Sequence, residues 1–241
     1  MNKQEKISIN GVPETMLQTM YARAKETKKE NAVIHDEKAV EIVEKLDYDF
    51  TLADKDAAMG SGVIARTILL DKMVADYLKK HPEAIVVNIA CGLDTRCYRN
   101  EGKYKRWYNI DLPDTINVRS RFMEEQGPEI YQFAESAMDE SWADKIEYTG
   151  ESVLVIIEGL TMYLSEEDVK KIFDIIDKKL IEKEEAFIPN MKIPAEFVRA
   201  MQDEKWSVDR AYQRLCRKNL LVGINYDKDS KEHKCSIEEV E

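Results

Sequence analysis

The spacing of hydrophobic positions changes near residue 84. Before it, apolar residues recur three and four apart in three sets. These are Met16, Leu17, Met20, Tyr21 and Ala24, then Ala39, Val40, Ile42, Val43 and Leu46, then Leu69, Leu70, Met73, Val74 and Tyr77. Each set falls roughly on one face of a 3.6-residue period, so the pattern predicts three helices. The first starts at Pro13-Glu14-Thr15, the second covers 36–46 and the third covers 63–80. Residues 1–12 read as a loose arm, and the charged run 25–30 reads as a solvated helix face. Residues 47–55 read as a polar loop leading to Met59-Gly60-Ser61-Gly62. His81-Pro82 ends the third helix, because the residue before a proline resists the helical conformation.

After residue 84, apolar bursts alternate with amphipathic stretches, which signals βαβ units and a parallel sheet. Strands are predicted over 85–89, 106–110, 130–133, 152–157 and 186–188. The burst Val153-Leu154-Val155-Ile156-Ile157 has no polar position and belongs at the centre of the sheet. Asp111-Leu112-Pro113 opens a helix that runs to about residue 126, where Gly127-Pro128 breaks it. Ser165-Glu166-Glu167-Asp168 resembles a capping box, and the helix after it carries Val169, Ile172, Phe173, Ile176 and Leu180 on one face. Beyond residue 188 the pattern loosens. Pro189 and Pro194 interrupt it, short helices are predicted over 195–201 and 206–219, and a strand over 220–224. The tail from Tyr226 is nearly all polar, a composition that favours disorder.

Length adds one constraint. The 241 residues suit one large α/β domain, and no Pro-, Gly- or Ser-rich linker divides them. The expected division is an N-terminal helical part over 1–82, a cofactor-binding core over 83–190 and an irregular part over 191–241. The net charge of −11 argues against nucleic acid as the main partner, since phosphate binding needs a basic face. Cys91, Cys97, Cys216 and Cys235 show no metal-ligand spacing, and His35, His81 and His233 are scattered, so no metal site is expected. Reduced thiols fit a cytoplasmic protein. No secretory signal is legible, and no apolar run approaches the ~20 residues that span a bilayer.

The candidate chemistry gathers at the carboxyl ends of the predicted strands, where open α/β sheets bind ligands. Ala90-Cys91-Gly92 follows the first strand and lets backbone come close to a ligand; it also reads as a plain strand-to-helix turn. Asp111 ends the second strand, about twenty residues beyond Gly92, where a carboxylate accepts hydrogen bonds from ribose hydroxyls. It also reads as an N-cap. Ser136-Ala137-Met138-Asp139, after the third strand, either borders an adenine ring or is a polar loop. Glu158 directly follows the most apolar strand and faces a cationic or polar part of a ligand. Tyr163 either lines a substrate pocket or packs in the core. Arg66, on the helix before the sheet, reaches a ligand carboxylate or is a surface arginine. There is no G-x-G-x-x-G and no phosphate-loop pattern, which weighs against an NAD-dependent oxidoreductase, the alternative enzyme class.

Four stretches carry a resemblance. They are Ile64-Ala65-Arg66-Thr67, the run from Val87 through Gly92-Leu93-Asp94-Thr95-Arg96 to Tyr98-Arg99, Trp107-Tyr108-Asn109-Ile110-Asp111-Leu112-Pro113, and Glu158-Gly159-Leu160-Thr161-Met162-Tyr163-Leu164. In this order and at these intervals they resemble the leucine carboxyl methyltransferase family, which includes polyketide O-methyltransferases of the tetracenomycin type. The resemblance covers roughly residues 14–188. It implies a doubly wound, mostly parallel Rossmann-like methyltransferase sheet under an N-terminal helical lid, with a C-terminal edge that fits the family poorly. It also implies S-adenosylmethionine as cofactor and a small-molecule carboxylate or hydroxyl as methyl acceptor. By position, Arg66 would hold the methionine carboxylate, with Lys25 or Lys28 as a second cation. Ala90 and Gly92 would border the cofactor, and Asp111 would bind the ribose. Ala137, Met138 and Asp139 would border the adenine, and Glu158 would face the methionine amino end. The family's Gly-Ala-Gly turn is Ala90-Cys91-Gly92 here, and Asn109 stands where an acid is common. No Ser-His-Asp or Cys-His pairing suggests a catalytic base. A non-catalytic cofactor-binding protein of the same fold is the remaining expectation.

Overall fold

The polar-free run after Ser152 does form the middle of a sheet. In a computed structural model, which describes residues 14–55, 57–125, 127–147, 149–180, 186–191, 221–227 and 232–236, β4 (Val153–Glu158) lies between β1 (Ile85–Ile89) and β5 (Ala186–Met191). On the other side of β1 come β2 (Arg106–Asp111) and β3 (Ile130–Ala134). These five strands are parallel, and β1 and β4 are buried on both faces along Ile85–Ile89 and Val153–Ile157. Two further strands, β6 (Leu221–Asp227) and β7 (Glu232–Ser236), extend the sheet beyond β5 by antiparallel pairing. The order is β3-β2-β1-β4-β5-β6-β7.

Side-chain alternation along the strands separates two cores. Ile85, Val87, Ile89, Val153, Val155 and Ile157 point to one face. There they meet Trp142 and α8 (Glu166–Lys179), through Ile172, Ile175 and Ile176. Val86, Leu154, Ile156 and Trp107 point to the other face and pack with Val74 and Leu78 of α4 (Ala57–Lys80). Helices on both faces make the sheet doubly wound, as expected. A third cluster joins α1 (Glu14–Thr27) and α2 (Glu37–Lys45) through Leu17, Met20, Ala39 and Ile42, and it reaches Leu93, Phe122 and Met123.

Some elements differ from the sequence reading. The expected polar loop over 47–55 contains a short helix, α3 (Thr51–Lys55), whose start is held by the Asp49 carboxylate accepting from the Thr51 N–H at 3.0 Å. Two more short helices, α5 (Arg96–Arg99) and α7 (Ser141–Asp144), follow β1 and β3. The helix after Asp111 is shorter than expected. This α6 (Pro113–Arg119) ends where Phe122 and Met123 turn into the N-terminal cluster. β5 continues through Pro189, which lies opposite Gly223 of β6. β5 is paired on both sides, with β4 and β6, so Pro189 leaves an interior strand one ladder donor short. The polar tail contributes β7, because backbone pairing with β6 needs no apolar side chain. The helices expected over 195–201 and 206–219 lie outside the described residues.

Candidate cofactor site

The carboxyl ends of β1, β2 and β4 open into a cavity of about 570 Å³. That is ample for a small ligand; such sites commonly hold a few hundred cubic ångströms. Its floor is the turn Ala90-Cys91-Gly92. Asp111 and Leu112 form one wall. Arg66, Glu158, Met162 and Tyr163 form the other, and α1 roofs it with Thr15, Met16, Thr19 and Arg23.

The turn is tightly specified. Ala90 has φ of 54° and Gly92 φ of 50°, so two residues of three are left-handed. Such a backbone strains an L side chain, and Ala90 bears that strain while lining the cavity. At Gly92 a β-carbon would meet Met16 Cγ and Sδ at 3.2 Å, so glycine also lets α1 close over the turn. The Gly92 N–H donates to Asp111 Oδ2 at 2.8 Å, and the Leu112 N–H donates to Oδ1 at 2.7 Å. Two backbone donors thus orient the Asp111 carboxylate and leave lone pairs on both oxygens. Burial lifts its pKa above the ordinary aspartate value, against the pull of these two hydrogen bonds.

Across the cavity, Glu158 ends β4 between two guanidinium groups. Arg96 Nη1 donates to Glu158 Oε2 at 2.5 Å, and Arg66 Nε lies 2.6 Å from Oε1. Burial alone would raise the Glu158 pKa, but Arg96 and then Arg66 overcome it and hold the carboxyl at about 2. The Arg66 approach is oblique, so its buried Nε has no hydrogen-bond partner. Arg96 is 2% exposed and is held by Asp71, Asp94 and Glu158 together. Burial raises the Asp94 pKa less than Arg96 and Arg99 lower it, so that carboxylate is firmly ionised.

The structure therefore brings Arg66, Ala90, Gly92, Asp111, Glu158 and Tyr163 around one cavity. Arg66 is half-buried in an ion pair, not a surface arginine. Tyr163 is 69% exposed on the helical turn Thr161–Tyr163, at the rim and not in the core. Ala137, Met138 and Asp139 are placed elsewhere, just after β3. Met138 and Asp139 line a separate depression beside α8, and the Ala137 carbonyl accepts from Trp142 Nε1 at 3.2 Å. Lys25 and Lys28 pair with Asp54 and Glu44, and the cation that α1 brings to the cavity is Arg23. Arg23 donates to Asp36 at 2.8 Å and to the Leu93 carbonyl at 2.9 Å. The sequence reading assigns no role to Arg23, Asn88, Asp94 and Arg96. For Asp94 and Arg96 the available signal is charge placed just after the mostly apolar strand β1.

Residues 16–177 match the family described as leucine carboxyl methyltransferase. The chain belongs to the leucine carboxyl methyltransferase family. Every residue placed around the cavity from Met16 to Tyr163 falls within the matched span. Among curated relatives, the chain is 36% identical over 168 residues to the tetracenomycin polyketide synthesis O-methyltransferase TcmP of Streptomyces glaucescens, covering 68% of this chain and 60% of that one. It is 32% identical over 178 residues to the S-adenosyl-L-methionine-dependent methyltransferase dpfgK of Gibberella zeae, with the same coverage of each. The chain thus matches about three-fifths of the length of these two relatives.

Proposed function

We propose that the chain is an S-adenosylmethionine-dependent O-methyltransferase acting on a small-molecule carboxylate or hydroxyl. One observation carries the reading: a single cavity sets the oriented carboxylate of Asp111 opposite the Glu158–Arg66 pair. The residues fit that cofactor. Asp111 keeps acceptor capacity for two vicinal ribose hydroxyls. Glu158 is ionised at neutral pH and complements an ammonium group. Arg66 lines the cavity while ion-paired to Glu158, and its guanidinium suits a ligand carboxylate. Ala90 lines the cavity without filling it, so the departure from a glycine there leaves room for a ligand. The adenine border is assigned to Ala137, Met138 and Asp139 on strand order alone, since they follow β3, the neighbour of the strand that carries Asp111, and lie beyond the lining of this cavity.

The chemistry supplied by that cofactor when bound is a methyl group on positively charged sulfur, taken by an oxygen nucleophile while sulfur keeps the electron pair. The protein has to align the acceptor and exclude water. A carboxylate acceptor is ionised at pH 7 and needs no base. Tyr163 and Met162, at the rim, position the acceptor. α1 acts as the lid. The net charge of −11 supports a small-molecule partner over nucleic acid. No helix among the described residues is long and apolar enough to cross a membrane. A cytoplasmic location agrees with the buried free thiols Cys91 and Cys97.

Incubation with methyl-labelled S-adenosylmethionine and a panel of carboxylic acids and phenols tests the reading. Label is expected in an acid or a phenol. Cofactor binding with no transfer to any of them would instead favour a cofactor-binding protein without turnover.

A further inference from the structure

The most deeply buried ion pair among the described residues lies outside the cavity. Arg119, the last residue of α6, and Glu125 are both 0% exposed at their side chains. Arg119 Nε and Nη2 donate to the two Glu125 oxygens at 2.9 and 2.7 Å, a two-pronged pairing that fixes the guanidinium plane. The remaining nitrogen, Nη1, points away from Glu125. It donates to the Gly92 carbonyl at 3.0 Å and to the Asp94 carbonyl at 2.7 Å.

These two carbonyls belong to the turn at the base of the cavity. The Gly92 N–H is already held by Asp111. Gly92 is therefore gripped on both sides, by an N–H bond from the cavity wall and by a C=O bond from beneath. Glu125 is secured in turn by Asn109 Nδ2 at 2.9 Å, and Asn109 Oδ1 accepts from Trp107 Nε1 at 3.0 Å. The chain of contacts runs from the middle of β2 to the floor of the site. A fully buried pair of this kind contributes little net stability, because desolvating both charges offsets most of their attraction. Its geometric effect is specific, since a planar fork can fix two carbonyls and a carboxylate at once and a lysine ammonium cannot.

We propose that Arg119, braced by Glu125, is a positioning residue that sets the height of the Gly92 turn and thereby the affinity for the cofactor. The inference rests on the functional reading above and extends it to two residues that do not themselves line the cavity but hold two residues that do. A misplacement of the floor by about 1 Å can cost on the order of a hundredfold in a site of this kind.

The test compares the intact chain with Arg119→Lys, Glu125→Gln and Ile176→Val. The last is a core change on the α8 side of the sheet that serves as a stability control. S-adenosylmethionine affinity is measured by calorimetry, unfolding by denaturant, and the Gly92 amide by NMR on ligand-free protein labelled at its nine glycines. Arg119→Lys is expected to weaken cofactor binding about tenfold or more and to move the Gly92 resonance. Ile176→Val is expected to do neither. Affinity within twofold of the intact chain, or an unmoved Gly92 amide, overturns the proposal. If Arg119→Lys does not fold, Glu125→Gln decides by the same two readings. If the intact chain itself does not bind S-adenosylmethionine, the functional reading fails, and the ligand-free Gly92 amide still decides whether Arg119 sets the turn.

Discussion

Ala90 shows what one residue can reveal about the site. Its φ of 54° belongs to the left-handed region, where a β-carbon crowds the following carbonyl. That conformation costs an L residue about 1–2 kcal/mol. Ala90→Gly removes the strain but gives the unfolded chain more freedom, which returns about 0.4–1 kcal/mol. The difference predicts a variant more stable by about 0–1.6 kcal/mol, with tighter S-adenosylmethionine binding because a methyl group leaves the cavity floor. Denaturant unfolding and calorimetry check both parts, and a lowered unfolding midpoint would contradict the strain argument. The sequence already marked positions 90–92 as the critical turn. It could not show that Ala90 is left-handed, because that depends on the hydrogen bonds the turn makes to Asp111 and Arg119.

At the scale of elements, the three strands that build the cavity were legible almost to the residue. β1 and β4 are buried on both faces, β4 reading as an unbroken apolar run and β1 as one broken only by Asn88, and β2 ends at the Asp-Leu-Pro turn. The long-range ion pairs were not legible. Arg96 lies on a four-residue helix after β1, yet its partners come from α4, the 92–95 turn and the end of β4. Nothing in local periodicity brings Asp71 or Glu158 to it. The adenine border is expected at Ala137, Met138 and Asp139 from their place after β3 and from the family resemblance, neither of which gives the direction the loop takes. It turns toward α8.

The junction between elements has a pH signature. Glu158 is held at about 2 by Arg96 and Arg66, below the ~4.3 of an unfolded glutamate. Its native carboxylate therefore binds protons less readily than the unfolded one. The stabilisation is fully present above about pH 4.3 and is lost as pH falls toward about 2. Chemical unfolding at stepped pH values is expected to show stability falling through that window. The slope should flatten in Glu158→Gln, which has no carboxylate to titrate. An equal slope in both proteins would remove Glu158 from the account.

For the whole molecule, the hydrophobic pattern specifies helices first and a parallel sheet second, while the doubly wound architecture is what the family resemblance implies. The C-terminal strands were less legible. Their alternation is weak, Pro189 interrupts the apolar pattern though not β5 itself, and β7 is built largely from polar residues whose pairing comes from the backbone. The family match supports the same division, since it ends at residue 177, within α8 and before β5. The site lies wholly on the legible side. Every element around the cavity, from α1 to the turn after β4, precedes residue 164.

The central claim is that this cavity binds S-adenosylmethionine through Asp111 on one side and Glu158 with Arg66 on the other. Calorimetric titration of the intact chain and of Asp111→Ala, with S-adenosylmethionine and separately with NAD, tests it most directly. The account predicts saturable one-to-one binding of S-adenosylmethionine, no binding of NAD, and an affinity for S-adenosylmethionine about tenfold or more weaker in Asp111→Ala, the loss of a charge-assisted pair of hydrogen bonds. Binding of NAD in its place, or an unchanged dissociation constant in Asp111→Ala, would contradict it.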